Sequence, residues 1–181
     1  MTGGLKEENT TKNSSKLIII MKQKITLVLS MLFLGLYAGF SQEDDITTLS
    51  IMSEFAKSKN FDAAYEPFMQ LRQRNPKFNR AIFVYGESIL MDKIEKSSGT
   101  EKATYINDLV KMYSERIEHY PADSPRGLWQ AKGCQLMYDN NDVLGKSNAE
   151  LYECFDAVYK ADKTTFTDPR GLYTYFSLMV D

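Results

Sequence analysis

Side chains that could make or break bonds are few in this chain, and their spacing is unhelpful to chemistry. The single histidine, His119, stands alone beside Tyr120 near the expected end of a helix, where it suits a surface role better than proton transfer. No Gly-x-Gly-x-x-Gly run, Gly-Lys-Ser/Thr loop or His-Glu-x-x-His pattern occurs, which removes the common phosphate-cradling and zinc-hydrolase arrangements. Gly86-Glu-Ser88 begins like a nucleophile elbow, but Leu90 stands where the closing Gly is required. Asp139-Asn-Asn-Asp142 with Gly145 resembles a calcium loop, yet Val143 and Leu144 occupy positions that need a ligand and a Gly, so a helix-connecting turn is expected. The expectation is a protein that is not an enzyme, with no catalytic, cofactor-binding or metal-binding residue.

The two cysteines, Cys134 and Cys154, remain. Counted from a turn near Val143 they sit at similar height on two antiparallel helices, so a disulfide can be drawn between them. Two outcomes stay open, because helix axes lie about 8–10 Å apart whereas a disulfide needs Cα atoms within about 7 Å, which favours two buried thiols.

The elements that position these residues are helical. Of 181 residues, 43% are hydrophobic and 25% charged, as in a folded domain, and Lys+Arg 22 against Asp+Glu 24 leaves no basic excess for nucleic acid. Apolar residues recur at three and four: Leu49, Met52, Phe55; Phe61, Ala64, Tyr65, Phe68, Leu71; Tyr105, Leu109, Tyr113, Ile117, Tyr120. Breaks fall at Lys57–Asn60, Asn75-Pro76, Ser97–Thr100, Pro121–Pro125, Asp139–Asp142 and Asp168-Pro169. Ser124-Pro125 and Asp168-Pro169 each read as a capping side chain before a Pro at the first helical position. The aromatic stripes at helical spacing read as core. No alternating strand appears, so the fold class is all-α, built of short antiparallel hairpins near Ile46–Arg74, Asn79–Tyr120 and Pro125–Ala161, then a helix from Pro169 without a partner.

Ahead of these lies Lys22-Gln-Lys24, then sixteen mostly apolar residues, Ile25 to Phe40, with Gly39 and Ser41 three and one before Gln42. That is the pattern of a secretory signal peptide, too short for a spanning anchor of roughly 20 residues. Residues 1–20 are polar and read as a mis-assigned start ahead of Met21. With 1–41 as leader, the domain is 42–181. Its 17 basic and 22 acidic residues give net −5, since the leader holds five Lys and two Glu. No Cys precedes Cys134, so nothing at the cleavage site carries a lipid, and the product is expected in the periplasm, the cell envelope or the medium. It should meet the membrane only through its signal peptide.

The chain also repeats itself. Pro125-Arg-Gly-Leu-Trp129 returns 44 residues later as Pro169-Arg-Gly-Leu-Tyr173, and Leu136-Met-Tyr-Asp139 returns as Leu178-Met-Val-Asp181. A repeat of this length signals stacked helical hairpins, an α-hairpin solenoid. Ala64, Phe68, Leu71 and Pro76, with Phe61 one turn earlier, resemble the second helix of a tetratricopeptide repeat; Ile82 with Gly86, and Trp129 with Gly133, resemble the close-packing pair of its first helix. The chain departs from that pattern at Leu109, Tyr113 and Arg116, in a second hairpin lengthened around Ser97–Thr100, in Pro67 within a helix, and in a period above the usual 34 that overlaps the HEAT range. The resemblance, to an exported tetratricopeptide-like protein of the Gram-negative envelope type, implies a non-enzymatic scaffold that binds a protein or peptide along a concave face. Its groove would be lined by Arg80, Phe83, Glu87, Gln130, Cys134 and Tyr138, though sealing Cys134 in a disulfide conflicts with that placement. Rival readings are a glycan- or nutrient-capture protein on helical repeats, and an accessory repeat domain of a longer envelope protein. Seven of the thirteen residues from Pro169 to Asp181 are large and apolar. A helix so apolar around its circumference is expected to be covered, by further repeats if the chain is truncated or by self-association.

Overall fold

The computed structural model describes residues 43–180, and the leader expected at 1–41 lies outside them. The chain divides into two compact units at Ile46/Thr47, and the helical array belongs to the second, Thr47–Asp181. Helix α1 covers 43–57. It is followed by α2 (Phe61–Arg74), α3 (Ala81–Lys96), α4 (Gly99–His119), a 3-10 turn (Pro121–Asp123), α5 (Arg126–Asp139), the short α6 (Asn141–Leu144), α7 (Asn148–Asp162) and α8 (Pro169–Val180). Among the described residues there is no strand, and no helix is long and apolar enough to cross a membrane. The described residues are all-α, as their periodicity indicates.

Local signals start and stop these helices. Asn60 caps α2 by accepting the Ala63 N–H. Ser147 and Glu150 form a reciprocal capping box at the start of α7, each side chain accepting the other's backbone N–H. Asp168 accepts the Gly171 N–H at 2.6 Å, with Pro169 as the first residue of α8, as the sequence suggests. The companion expectation at Ser124-Pro125 is corrected. Ser124 makes no cap; its hydroxyl is buried and accepts from Arg116 Nε, and Pro125 itself stands at the capping position. In the long second hairpin the added length lies in the helices: 16 and 21 residues joined by Ser97-Ser98 alone.

From α2 to α8 consecutive long helices pack on one another, and α5 also meets α8. Two apolar cores result. One gathers Met52, Phe68, Leu71, Ile82, Ile89, Leu109 and Met112 from α1 to α4, and reaches Trp129 and Leu136 of α5. The other gathers Ala131, Cys134, Leu151, Phe155, Val158, Phe166 and Leu178. Helix α5 therefore belongs to both cores. Arg72, buried on α2, clamps the first by placing Nε 2.7 Å from Glu115 and Nη1 2.9 Å from Asp108, both on α4.

The first turn of α5 is held from a distance. The Gly127 N–H donates to Thr165 Oγ1 at 2.8 Å and to Asp162 Oδ2 at 3.3 Å, so the last residue of α7 and one just beyond it satisfy a donor that α5 cannot satisfy itself. A Cβ at Gly127 would lie 2.4 Å from the Asp162 carbonyl oxygen, and one at Gly171 would lie 3.0 Å from Asp168 Oδ2. The repeated Pro-Arg-Gly thus marks two close approaches at helix starts: at Gly127 the neighbouring backbone leaves no room for a side chain, and at Gly171 the fit is tight against the Asp168 carboxylate.

Candidate functional site

Because α4 and α7 both pack on α5, they leave a cleft of about 410 Å³ over the face of α5 between them. Its floor is a stripe of α5 at helical spacing, Arg126, Trp129, Gln130, Gly133, Cys134 and Met137. One wall is Val110, Tyr113 and Ser114 of α4; the other is Cys154, Ala157, Val158 and Ala161 of α7. Small residues make the opening: a Cβ at Gly133 would stand 3.6 Å from Val110, an ordinary contact, and Ala157 and Ala161 lie one turn apart on the opposite wall.

Cys134 and Cys154 are bonded, with Cα atoms 5.9 Å apart, and the disulfide forms part of the cleft lining. This is the closer of the two alternatives left by the sequence, and it corrects the preference for separate thiols. Ala131, buried one turn before Cys134, keeps that side of α5 small enough for the approach.

Trp129 is only 8% exposed. Its ring lies tilted at 52° against Tyr113, with centroids 5.4 Å apart, and carries two cations: the Arg116 guanidinium at 3.9 Å and Lys132 Nζ at 4.3 Å. Arg116, a departure from the repeat pattern, is thereby explained as a buried cap on the indole. Burial pulls its guanidinium pKa down from the ordinary range. The Tyr113 hydroxyl donates to Glu87 at 3.0 Å, and Lys132 Nζ donates to the same oxygen at 2.8 Å. Burial first, then the Glu87 charge, drives the Tyr113 phenol well above its ordinary range, so it stays protonated.

Charge is uneven along the cleft. Arg126, the first residue of α5, is exposed and has no carboxylate partner among the described residues; Gln130, one turn on, is half-buried with its amide equally unpaired. Apart from Ser114 and the Tyr113 hydroxyl, which is engaged by Glu87, the rest of the lining is apolar.

The six groove candidates do not assemble. Gln130 and Cys134 meet in this cleft. Phe83 is wholly buried, its ring 5.8 Å from Tyr120 and 6.0 Å from His119, because α3 lies between α2 and α4 and buries both sides. Glu87 is engaged by Tyr113 and Lys132, Arg80 stands 3.7 Å from Asp123, and Tyr138 is exposed elsewhere on α5. Cys134, nearly buried and bonded, offers no free thiol. Sequence reasoning missed Arg126, Met137 and the α7 wall; the signal that could have found the wall is Cys154, Ala157 and Ala161 at steps of three and four.

The other residues considered for chemistry take these places. His119 ends α4. Gly86-Glu-Ser88 lies inside α3. The Asp139–Asp142 stretch is the α5–α6 turn, where Asn141 closes on Lys146 through both backbone groups and Asp139 pairs with Arg170. Among the described residues no three His, Cys, Asp or Glu side chains cluster to hold a metal ion. No protein-family model, curated protein or solved structure matches the chain.

Proposed function

We propose that this chain is an exported, non-enzymatic interaction module: a tetratricopeptide-like array of helical hairpins that holds a protein or peptide segment. The observation that carries the reading is the cleft over α5, an apolar trough with an unpaired cation at one end and no nucleophile–base pair in its lining. The disulfide supports export, since such bonds persist in oxidising compartments. Binding along the cleft replaces binding along a line through Phe83 and Glu87, whose side chains are already occupied. Glycan capture is disfavoured because Trp129, the single tryptophan, is enclosed and loaded with cations and is not an open platform.

The test is a comparison of two baits in envelope fractions, the native chain and Ala157→Trp, which fills the cleft from its exposed wall. A stoichiometric protein partner held by the native chain and lost with Ala157→Trp is expected. Equal recovery by both baits, or glycan-array binding without a protein partner, overturns it.

A further inference from the structure

The polarity of the cleft runs along α5. From Arg126 to Met137 is eleven residues, roughly 16 Å at 1.5 Å per residue, which is the reach of about five extended residues at 3.3 Å each. Arg126 stands at the first end. At the other, Gly133, Met137 and Val110 with the Cys134–Cys154 disulfide offer only apolar surface. A ligand that matches both ends carries an apolar group and an anionic group a few residues apart.

Gln130 decides what joins them. Its half-buried amide lies in mid-cleft with neither donor nor acceptor matched among the described residues. A hydrocarbon chain passing over it would take both from water and leave both unsatisfied, at a cost of about 1–3 kcal/mol for each buried group. A peptide backbone supplies a C=O and an N–H to the same amide.

We propose, resting on the reading of this cleft as a protein-binding site, that it selects an extended internal segment of about five residues. The segment has large apolar side chains at one end, seated against Gly133 and the disulfide, and an Asp or Glu at the other, paired with Arg126. The Arg126 guanidinium offers a bidentate donor fork to that carboxylate. Nearby charges do not pre-empt it, since Asp162 is occupied by Thr165 and Gly127, and Glu87 by Tyr113 and Lys132.

The probes are acetylated, amidated hexapeptides holding two leucines and, at the far end, Glu, Gln or Lys. They are titrated against the full chain while following the fluorescence of Trp129, its only tryptophan and a lining residue of the cleft. The Glu peptide should bind at least tenfold more tightly than the Gln peptide at low salt, and the gap should shrink at high salt. Arg126→Glu should reverse the order in favour of the Lys peptide. That variant places an acid in the first turn of α5, where the helix dipole favours it, so a folding defect does not cloud the result. Equal affinity for the Glu and Gln peptides, an order unchanged by Arg126→Glu, or no binding by any peptide overturns the proposal. The broader reading stands or falls separately, on the partner captured by the native chain and not by Ala157→Trp.

Discussion

Substituting Gly86 by Ala tests how the first core is built. A Cβ at this position of α3 would lie 2.4 Å from Phe68 Cε2, 2.9 Å from Phe68 Cζ and 2.9 Å from Met112 Sδ. Carbon atoms pack at about 3.5–4.0 Å, so the Phe68 ring would have to retreat by about 1 Å. It has no room, being fully buried with the Arg72 guanidinium 5.7 Å from its centroid and Tyr65 6.5 Å away. Overpacking of this severity costs about 3 kcal/mol, at the upper end of the usual range, whereas replacing Gly by Ala inside a helix returns about 1 kcal/mol. The net expectation is a loss of about 2 kcal/mol, read as a lower urea midpoint with unchanged m-value by circular dichroism. In a Phe68→Leu background the two offending ring atoms are gone and the flexible Met112 thioether can yield. There Gly86→Ala should be neutral or stabilising, a coupling of about 2 kcal/mol. Gly133→Ala serves as the contrast: with 3.6 Å to its nearest neighbour it should gain up to about 1 kcal/mol of helix propensity. A Gly86→Ala chain as stable as the parent, or equally destabilised with Leu at 68, refutes the reasoning.

Arg72→Met should cost about 2 kcal/mol in the same unfolding assay. It leaves Asp108 without the Arg72 guanidinium and Glu115 with only the exposed Lys111, 3.6 Å away, and the usual cost of breaking a buried pair is reduced because both carboxylates are about a quarter exposed. Replacing Cys134 and Cys154 together by Ala should lower stability by about 3 kcal/mol, from the unfolded-chain entropy released by opening a loop across a separation of 20 residues, and a reductant should lower the melting temperature of the parent but not of this variant. Acid should also weaken the fold. The Asp162 carboxyl is held below its ordinary value of 3.8, first by the Thr165 hydroxyl, and that of Asp62 by Lys93 and Lys96. A carboxyl lowered in the folded chain contributes stability present above its ordinary value and lost as pH falls through the lowered one, so melting temperatures should drop below pH 4, and less so in Asp162→Asn.

Helix class and most helix limits were legible because they depend on local facts: apolar spacing, Asn75-Pro76, Asp168-Pro169. The close packing at Gly86 was legible too, through the resemblance of Ile82 and Gly86 to the close-packing pair of a tetratricopeptide repeat. The same pattern at Gly133 gave no tight contact, because α4 and α7 diverge over α5 and leave the cleft where a close approach would have been. Phe83 was placed on an open face by the tetratricopeptide resemblance, but α3 is packed on both sides, a property of the assembled array that its own sixteen residues do not encode. Arg126 escaped notice because an unpaired arginine is recognisable only once every carboxylate near it is seen to be engaged elsewhere.

The start of α5 is completed by Thr165 and Asp162, residues 35 to 38 positions downstream. When the chain emerges amino-terminus first, the opening turn of α5 stays frayed until α7 has formed and the segment after it has folded back. Hairpins in such an array do not then add one at a time like beads; α5, α7 and the strap before α8 acquire their order together, as one cooperative unit. The cleft, which needs α5 and α7 in place, exists only after that joint step, so a chain caught partway through folding presents no site to a partner.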